Sequence, residues 1–390
     1  MKQIMLKNGK EDKYFRGYPL VDKDDIFEMP SMDEGELVAL VDAGKNFIAT
    51  AYYGEQNKGI GWVLSLDSTE KIDHKFFVKL FKQAIQEREY FENVDGINAY
   101  RLFNAEGDGI GGLTIDNYDG HLLLQWYSVG IYRLKDRILP AIQEVFEYKS
   151  IFEKRRFKGM ETSSDFVEGD APEFPYVIEE NHLFYNVNLD DGPMTGIFLD
   201  QKEVRKKIRD HYSEDKDILN LFSYTGAFSV AASENAKSTT SVDLANRART
   251  LTEGNFGLNA MDLNNNHIFI MDVFDYFKYA LRHGLSYDVI VIDPPSFARN
   301  KKKTFSVQKN YPELIEGAAS LLNETGTLVL STNSSAFPQK AFKKMINQTL
   351  DSLELDYTIT DVMGLPKDFK THPHYKPSKY LKVVFVQING

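Results

Sequence analysis

Four short segments in the second half of this 390-residue chain combine residue types that can do chemistry. The most particular is Val289-Ile290-Val291-Ile292-Asp293-Pro294-Pro295-Ser296-Phe297, an apolar run ending in Asp-Pro-Pro and an aromatic. Two prolines fix the backbone and remove two N–H donors, so carbonyls can point into a site. Phe297 offers a ring on which a base can stack. The second segment is Ile218-Leu219-Asn220-Leu221-Phe222-Ser223-Tyr224-Thr225-Gly226, followed by small residues. It reads as a buried strand, a turn and a helix start, where backbone N–H groups face a ligand. Gly226 would let a ligand approach closely. Asp243, 17 positions further on, ends the next apolar run. A carboxylate there can accept from ribose hydroxyls or cap a helix, and both can hold at once. Asp272 follows a third run and can meet an adenine amino group or act as a cap.

Those four segments need a sheet to hold them. Apolar runs Ile218 to Phe222, Thr239 to Val242, Ile268 to Ile270, Val289 to Ile292 and Leu328 to Ser331 alternate with helical stretches. That alternation predicts βαβ units and a doubly wound parallel sheet from about residue 191 onward. Tyr380 to Val386 adds one more strand. Ahead of it the pattern differs. Gly35 to Val41 and Phe47 to Tyr53 read as strands around an Asp42–Lys45 turn, within a small β-barrel-like module over residues 1–70. Residues 71–190 read as a central α+β domain. It holds a helix from Thr69 to Phe91 capped at Asp67-Ser68, a strand from Leu122 to Tyr127, a helix from Tyr132 to Tyr148 that Pro140 kinks or begins, and an exposed loop from Glu168 to Pro175. The cluster Gly107-Asp108-Gly109-Ile110-Gly111-Gly112 precedes a strand, not a helix, and so reads as a tight turn rather than a dinucleotide loop.

Composition narrows the chemistry. There is no cysteine, which excludes thiolate zinc sites, Fe–S clusters and a protein thiol nucleophile; no metal is expected. The net charge of -11 argues against a strongly cationic, nonspecific nucleic-acid binder. Two local basic runs remain, Lys154-Arg155-Arg156-Phe157-Lys158 and Lys301-Lys302-Lys303; a lone run of this kind is more often a solvated loop than a phosphate footprint. No apolar run is long enough to span a bilayer, and the N-terminus has no long apolar core, so a cytoplasmic location is expected.

These residues resemble the class I AdoMet-dependent methyltransferases, more narrowly the large-subunit ribosomal RNA methyltransferases that carry an N-terminal PUA domain. The resemblance rests on Asn220–Gly226, Asp293–Phe297, Thr195-Gly-Ile-Phe-Leu-Asp-Gln-Lys202 and Glu106–Leu113, and spans nearly the whole chain. It implies S-adenosylmethionine as cofactor. Its methionine part would lie against Asp200, Gln201, Phe222, Ser223, Tyr224, Thr225 and Gly226, its ribose on Asp243 and its adenine on Asp272. Asp293, Pro294, Pro295 and Phe297 would face the target base. Ribosomal RNA of the large subunit would be the partner, and a homodimer the assembly.

One departure decides between chemistries. The best-known members of this family methylate C5 of a cytosine, a poor nucleophile that must first take a cysteine thiolate at C6. Their cysteine lies just after the strand that follows the Asp-Pro-Pro strand, and here Asn333 occupies that place, in Leu330-Ser331-Thr332-Asn333-Ser334. A related branch that methylates N7 of guanine resembles this chain at these points. That nitrogen has an exposed lone pair and no proton, so alignment suffices. Asn333 would then read the guanine edge, or serve as a strand-end turn residue. Guanine N7 is therefore the expected target, with adenine N6 or cytosine C5 as alternatives. A fold that kept RNA binding for ribosome assembly and lost turnover, or a small-molecule methyltransferase, would be different classes of protein.

Overall fold

The computed structural model describes all residues except 57–58, 158, 160–163, 300–303, 336 and 390, and describes 92, 297–299, 304 and 305 by their backbone alone. The chain forms two compact units that share it unevenly. One holds Met1–Ile178, Asn188–Thr195 and Lys367–Ser378; the other holds Glu179–Val187, Gly196–Pro366 and Lys379–Gly390. The barrel-like region and the central region as far as Ile178 fall within a single unit, and the chain passes between units several times near residues 178–196 and 366–379.

In the first unit, alternating apolar residues build two sheets. A six-stranded sheet runs Leu20–Asp22, Gly59–Ser65, Phe47–Tyr53, Leu37–Val41, Lys2–Leu6, Ile26–Glu28 in spatial order. Its core includes Ile4, Leu6, Tyr14, Val38, Leu40, Ile48 and Ile60. A five-stranded sheet runs from Ala99–Asn104 through Leu113–Tyr118, His121–Trp126 and Ser150–Arg155 to Ser164–Gly169. Two helices accompany it, and both differ from expectation. The first spans His74–Gln86, because Asp73 supplies the cap by accepting from the Phe76 N–H at 3.3 Å. Asp67 instead folds back on Thr69 in a turn. The second is split into Val129–Tyr132, capped by Ser128, and Lys135–Val145, which continues through Pro140. The Glu168–Pro175 stretch begins inside a strand and becomes a loop only after Gly169.

The glycine cluster is a turn, as its flanks require. A short 3₁₀ segment, Ala105–Asp108, leads into the strand Leu113–Tyr118. A Cβ on Gly107 would sit 1.9 Å from the Lys370 carbonyl oxygen, so backbone packing explains that residue. The first basic run departs from the solvated-loop expectation. Lys154 and Arg155 end a central strand and are buried. The Lys154 Nζ donates to the carbonyls of Asp191 (3.2 Å) and Gly192 (2.9 Å), and burial lowers its pKa to about 8. Arg155 pairs with Glu153 and Asp165, and Arg156 donates to Gln125. Consecutive residues point to opposite faces of the sheet, and both faces of this strand are covered, so internal partners hold both cations.

The second unit carries a seven-stranded sheet, with β1 Asp217–Leu221, β2 Ser238–Asp243, β3 Asn266–Ile270, β4 Tyr287–Ile292, β5 Leu322–Thr332, β6 Tyr357–Met363 and β7 Lys382–Ile388. The spatial order is β3-β2-β1-β4-β5-β7-β6, parallel from β3 to β5, with β7 antiparallel to both neighbours. Helices α1 Lys202–His211, α2 Ala227–Ser233, α3 Arg247–Leu258, α4 Val273–Arg282, α5 Val307–Ala319 and α6 Gln339–Ser352 complete it. Leu219, Ile290, Ile292, Leu328 and Leu330 face α4, α5 and α6, while Ile218, Val289, Val291 and Val329 face α1 and α2. Both faces are covered, which is why these strands read as unbroken apolar runs. The order reverses between β1 and β4, and such a switch point opens a crevice at the carboxyl ends of the strands.

Candidate active site

The residues singled out from sequence converge on that carboxyl edge. Phe222 follows β1, Asp243 ends β2, Asp272 lies just past β3, Asp293 follows β4 and Asn333 follows β5. Asp200 and Gln201 lie in the 3₁₀ turn Leu199–Gln201 that leads into α1.

The β1 turn is tightly determined. Phe222 (φ 60°), Tyr224 (φ 53°) and Gly226 (φ 73°) are all left-handed, a costly conformation for the two side chains that have a Cβ. Surrounding bonds hold it. The Ser223 N–H donates to the Val242 carbonyl at 3.0 Å, and the Tyr224 N–H donates to Asp243 Oδ2 at 2.9 Å. The Thr225 hydroxyl donates to the Gly196 carbonyl at 2.7 Å, and Asn255 donates to the Thr225 carbonyl at 3.0 Å. Beneath the turn, Asn220 donates to the Ser229 hydroxyl, which meets that of Ser241, tying β1 to α2 and β2. Gly226 has a reason other than ligand approach. A Cβ there would stand 2.4 Å from Thr252 Cγ2, so the residue lets α3 pack against the turn.

The strand-end acids divide their work. Asp243 accepts from Tyr224 N–H and, through Oδ1, from Ala245 N–H at 2.8 Å, while the cap position of α3 belongs to Asn246. An ionised carboxylate has about four acceptor positions, so two structural bonds leave capacity for hydroxyls. Asp272 caps α4 through Oδ1, which accepts from Phe274 N–H at 3.0 Å.

Asp293 lies at the centre. Gln201 Nε2 donates to Asp293 Oδ2 at 3.2 Å and to Ser331 Oγ at 3.0 Å. Burial raises the Asp293 pKa to about 6, and nearby Asp200 adds to this, while Ser331, Arg205 and Gln201 oppose it. Pro294 is buried and Pro295 exposed. Phe297 opens a hairpin between Phe297–Arg299 and Thr304–Ser306. Its side chain lies outside the described residues, as do Lys301, Lys302 and Lys303. The Ser296 hydroxyl donates to Asn333 Oδ1 at 2.6 Å, so the Asp-Pro-Pro turn and the β5 turn touch at an exposed position.

Several positioning groups gave no sequence signal. Tyr311, buried on α5, donates to the carbonyls of Ile292 (3.1 Å) and Ser331 (2.8 Å), tying the ends of β4 and β5 together. Arg205 is buried against Glu180 in two bonds of 2.7 and 2.8 Å, and also donates to the Phe198 carbonyl at 2.9 Å. That pair fixes the approach to Asp200, whose Oδ2 accepts from the Tyr380 hydroxyl at 2.9 Å. Only their partners, remote in sequence, give these residues meaning.

A doubly wound sheet with this strand order, a strained turn after β1 and acids after β2, β3 and β4 defines the class I methyltransferase architecture. The chain belongs to the S-adenosylmethionine-dependent methyltransferase family, whose description matches residues 145–367, and a PUA-like domain matches residues 4–66. It is 47% identical to "Putative ribosomal RNA large subunit methyltransferase YwbD" of Bacillus subtilis (strain 168), over 99% of this chain and 100% of that one. It is 30% identical to ribosomal RNA large subunit methyltransferase I of Escherichia coli, over 97% of this chain and 98% of the relative. Among solved structures, a "putative methyltransferase complexed with SAH" superposes with a TM-score of 0.94 at 40% identity, covering 99% of this chain and 100% of that one. The protein is an AdoMet-dependent methyltransferase. Among the described residues, no helix is long and apolar enough to cross a membrane.

The residues present fit the cofactor. Gln201 Oε1 is buried and has no hydrogen-bond partner among the described residues, an acceptor suited to an ammonium group such as that of AdoMet's methionine end.

Proposed function

We propose that this chain methylates a base nitrogen of large-subunit ribosomal RNA, N7 of guanine first. The names of the two curated relatives support the RNA class. The observation that carries the atom is Asn333, set at the end of β5 and bonded to Ser296 of the Asp-Pro-Pro turn, in a chain with no cysteine. A C5 target would need a thiolate at that position.

When bound, AdoMet supplies a sulfonium methyl to the lone pair of the accepting nitrogen, and the C–S electron pair leaves with the sulfur as a neutral thioether. The chain's residues orient the partners. Gln201 with the Phe222–Gly226 turn holds the methionine part, Asp243 the ribose hydroxyls and Asp272 the adenine amino group. Asp293, ionised at neutral pH, accepts from an amino group of the target base, while Asn333 donates an amide N–H to its edge. Pro294 and Pro295 stiffen the turn that brings them together. No base is needed, since guanine N7 carries no proton. The task is alignment within a few tenths of an ångström.

The test is nucleoside mass spectrometry of large-subunit RNA, from cells lacking the gene, after incubation with purified protein and AdoMet. The expected product is 7-methylguanosine, with no stable adduct on RNA carrying 5-fluorocytosine. Formation of 5-methylcytosine would overturn the assignment.

A further inference from the structure

Lys382 opens β7, opposite Thr332 of β5 in the antiparallel register, and is only 4% exposed. No carboxylate lies within ion-pair distance of it among the described residues. Its Nζ donates to the Ser334 carbonyl at 2.6 Å. Burying an ammonium without a counterion is costly, and an apolar side chain of similar length would pack there at less expense in free energy. Among the described residues, the one hydrogen bond that the ammonium makes goes to the turn carrying Asn333. The Ser334 carbonyl also accepts from the Phe337 N–H at 3.1 Å, so it closes that turn. Asn333, one residue earlier, meets Ser296. Two residues before Lys382, Tyr380 holds Asp200. One short segment therefore reaches both the Asp200 side and the Asn333 side of the crevice.

We propose that Lys382 is a positioning residue for methyl transfer: its ammonium, bonded to the Ser334 carbonyl, sets the β5 turn so that Asn333 faces the target base. The proposal rests on the reading of Asn333 given above. It assigns Lys382 no contact with substrate or cofactor.

The test compares wild type with Lys382→Met and Lys382→Arg, using the full chain. Lys382→Met should fold with an unchanged or higher Tm and bind AdoMet as wild type does. Its kcat on large-subunit RNA should fall by about tenfold or more, with little change in KM. Lys382→Arg, which keeps the cation, should recover part of that loss. Hydrogen exchange at the peptide covering residues 333–337 should quicken in Lys382→Met, while exchange over β1 and β2 stays the same. Wild-type kcat in Lys382→Met, or unaltered exchange at 333–337, would overturn the proposal. If wild type itself transfers no methyl to RNA, the functional reading fails, and the exchange measurement still decides whether Lys382 sets the turn.

Discussion

Asp243 and Asp293 are both acids at strand ends, yet their surroundings separate them. Asp243 accepts two backbone N–H bonds at the rim, whereas Asp293 is enclosed and its pKa rises to about 6. On the proposed reading Asp243 accepts from the ribose hydroxyls, in charge-assisted bonds worth about 1.5–3 kcal/mol each. Asp243→Ala should therefore weaken AdoMet binding by about tenfold or more in calorimetry; unchanged affinity in a folded variant would remove the residue from the cofactor site. For Asp293 the sign runs the other way from a paired carboxylate. Its folded pKa lies above the unfolded value, so the native state holds the extra proton between about pH 4 and pH 6. Stability is lost as pH rises through that window and is restored on acidification. Asp293→Asn should accordingly raise Tm at pH 7, with the gain vanishing below pH 4, and a Tm gain that persists in acid would refute the burial argument. Asp293→Ala should fold and nearly abolish methyl transfer. Both acids were legible in the sequence because each ends an apolar run. Ser331, Tyr311, Arg205 and Lys382 were not, since an isolated serine, tyrosine or cation gains its role only from partners brought close by folding.

The turn after β1 shows how an element constrains its residues. Its sequence pattern, apolar run then small residues, predicted the turn correctly, but the reason for Gly226 lies in α3. Adding a Cβ meets Thr252 and a left-handed backbone together. Gly226→Ala should cost at least about 1 kcal/mol in urea unfolding. Thr252→Ser, which removes the clashing methyl, should return part of that cost in the double variant; no recovery would place the whole penalty in the backbone. Helix boundaries were less legible than strands. Asp73 caps where Asp67 was expected, because several nearby acids satisfy the same local rule and only packing of Phe76, Phe77 and Phe81 selects the frame. The basic run at 154–156 misled for a related reason: charge suggests solvent, but a central strand covered on both faces buries Lys154 and Arg155 alike.

At the scale of the molecule, the proposed function asks an acidic chain to hold a polyanion. The cations of the 154–156 run are engaged by carbonyls, carboxylates and an amide within their own unit, so they are poor phosphate ligands. The run Lys301–Lys303 belongs to the segment joining the Asp-Pro-Pro strand to α5. Replacing all three with glutamate should weaken RNA binding and flatten its dependence on salt, because each lost phosphate contact removes released counterions. AdoMet affinity should stay as in wild type. Equal RNA affinity at every salt concentration would make the run a solvated loop only. The division of the chain into units was the least legible feature. Short excursions such as 188–195 and 367–378 carry no composition shift that marks them as belonging elsewhere.

The place of β7 has a consequence for damaged or prematurely terminated chains. The last strand in sequence is not last in space: it is threaded between β5 and β6 and pairs with both. A chain cut between Met363 and Lys382 loses more than a tail. It leaves β5 and β6 each with an open edge of unpaired N–H and C=O groups, a template for pairing with other chains. Every acid of the candidate site would still be encoded in such a fragment. Loss of this one strand would nonetheless turn a would-be enzyme into a seed for aggregation, so proteases that clear it early would protect the intact protein around it.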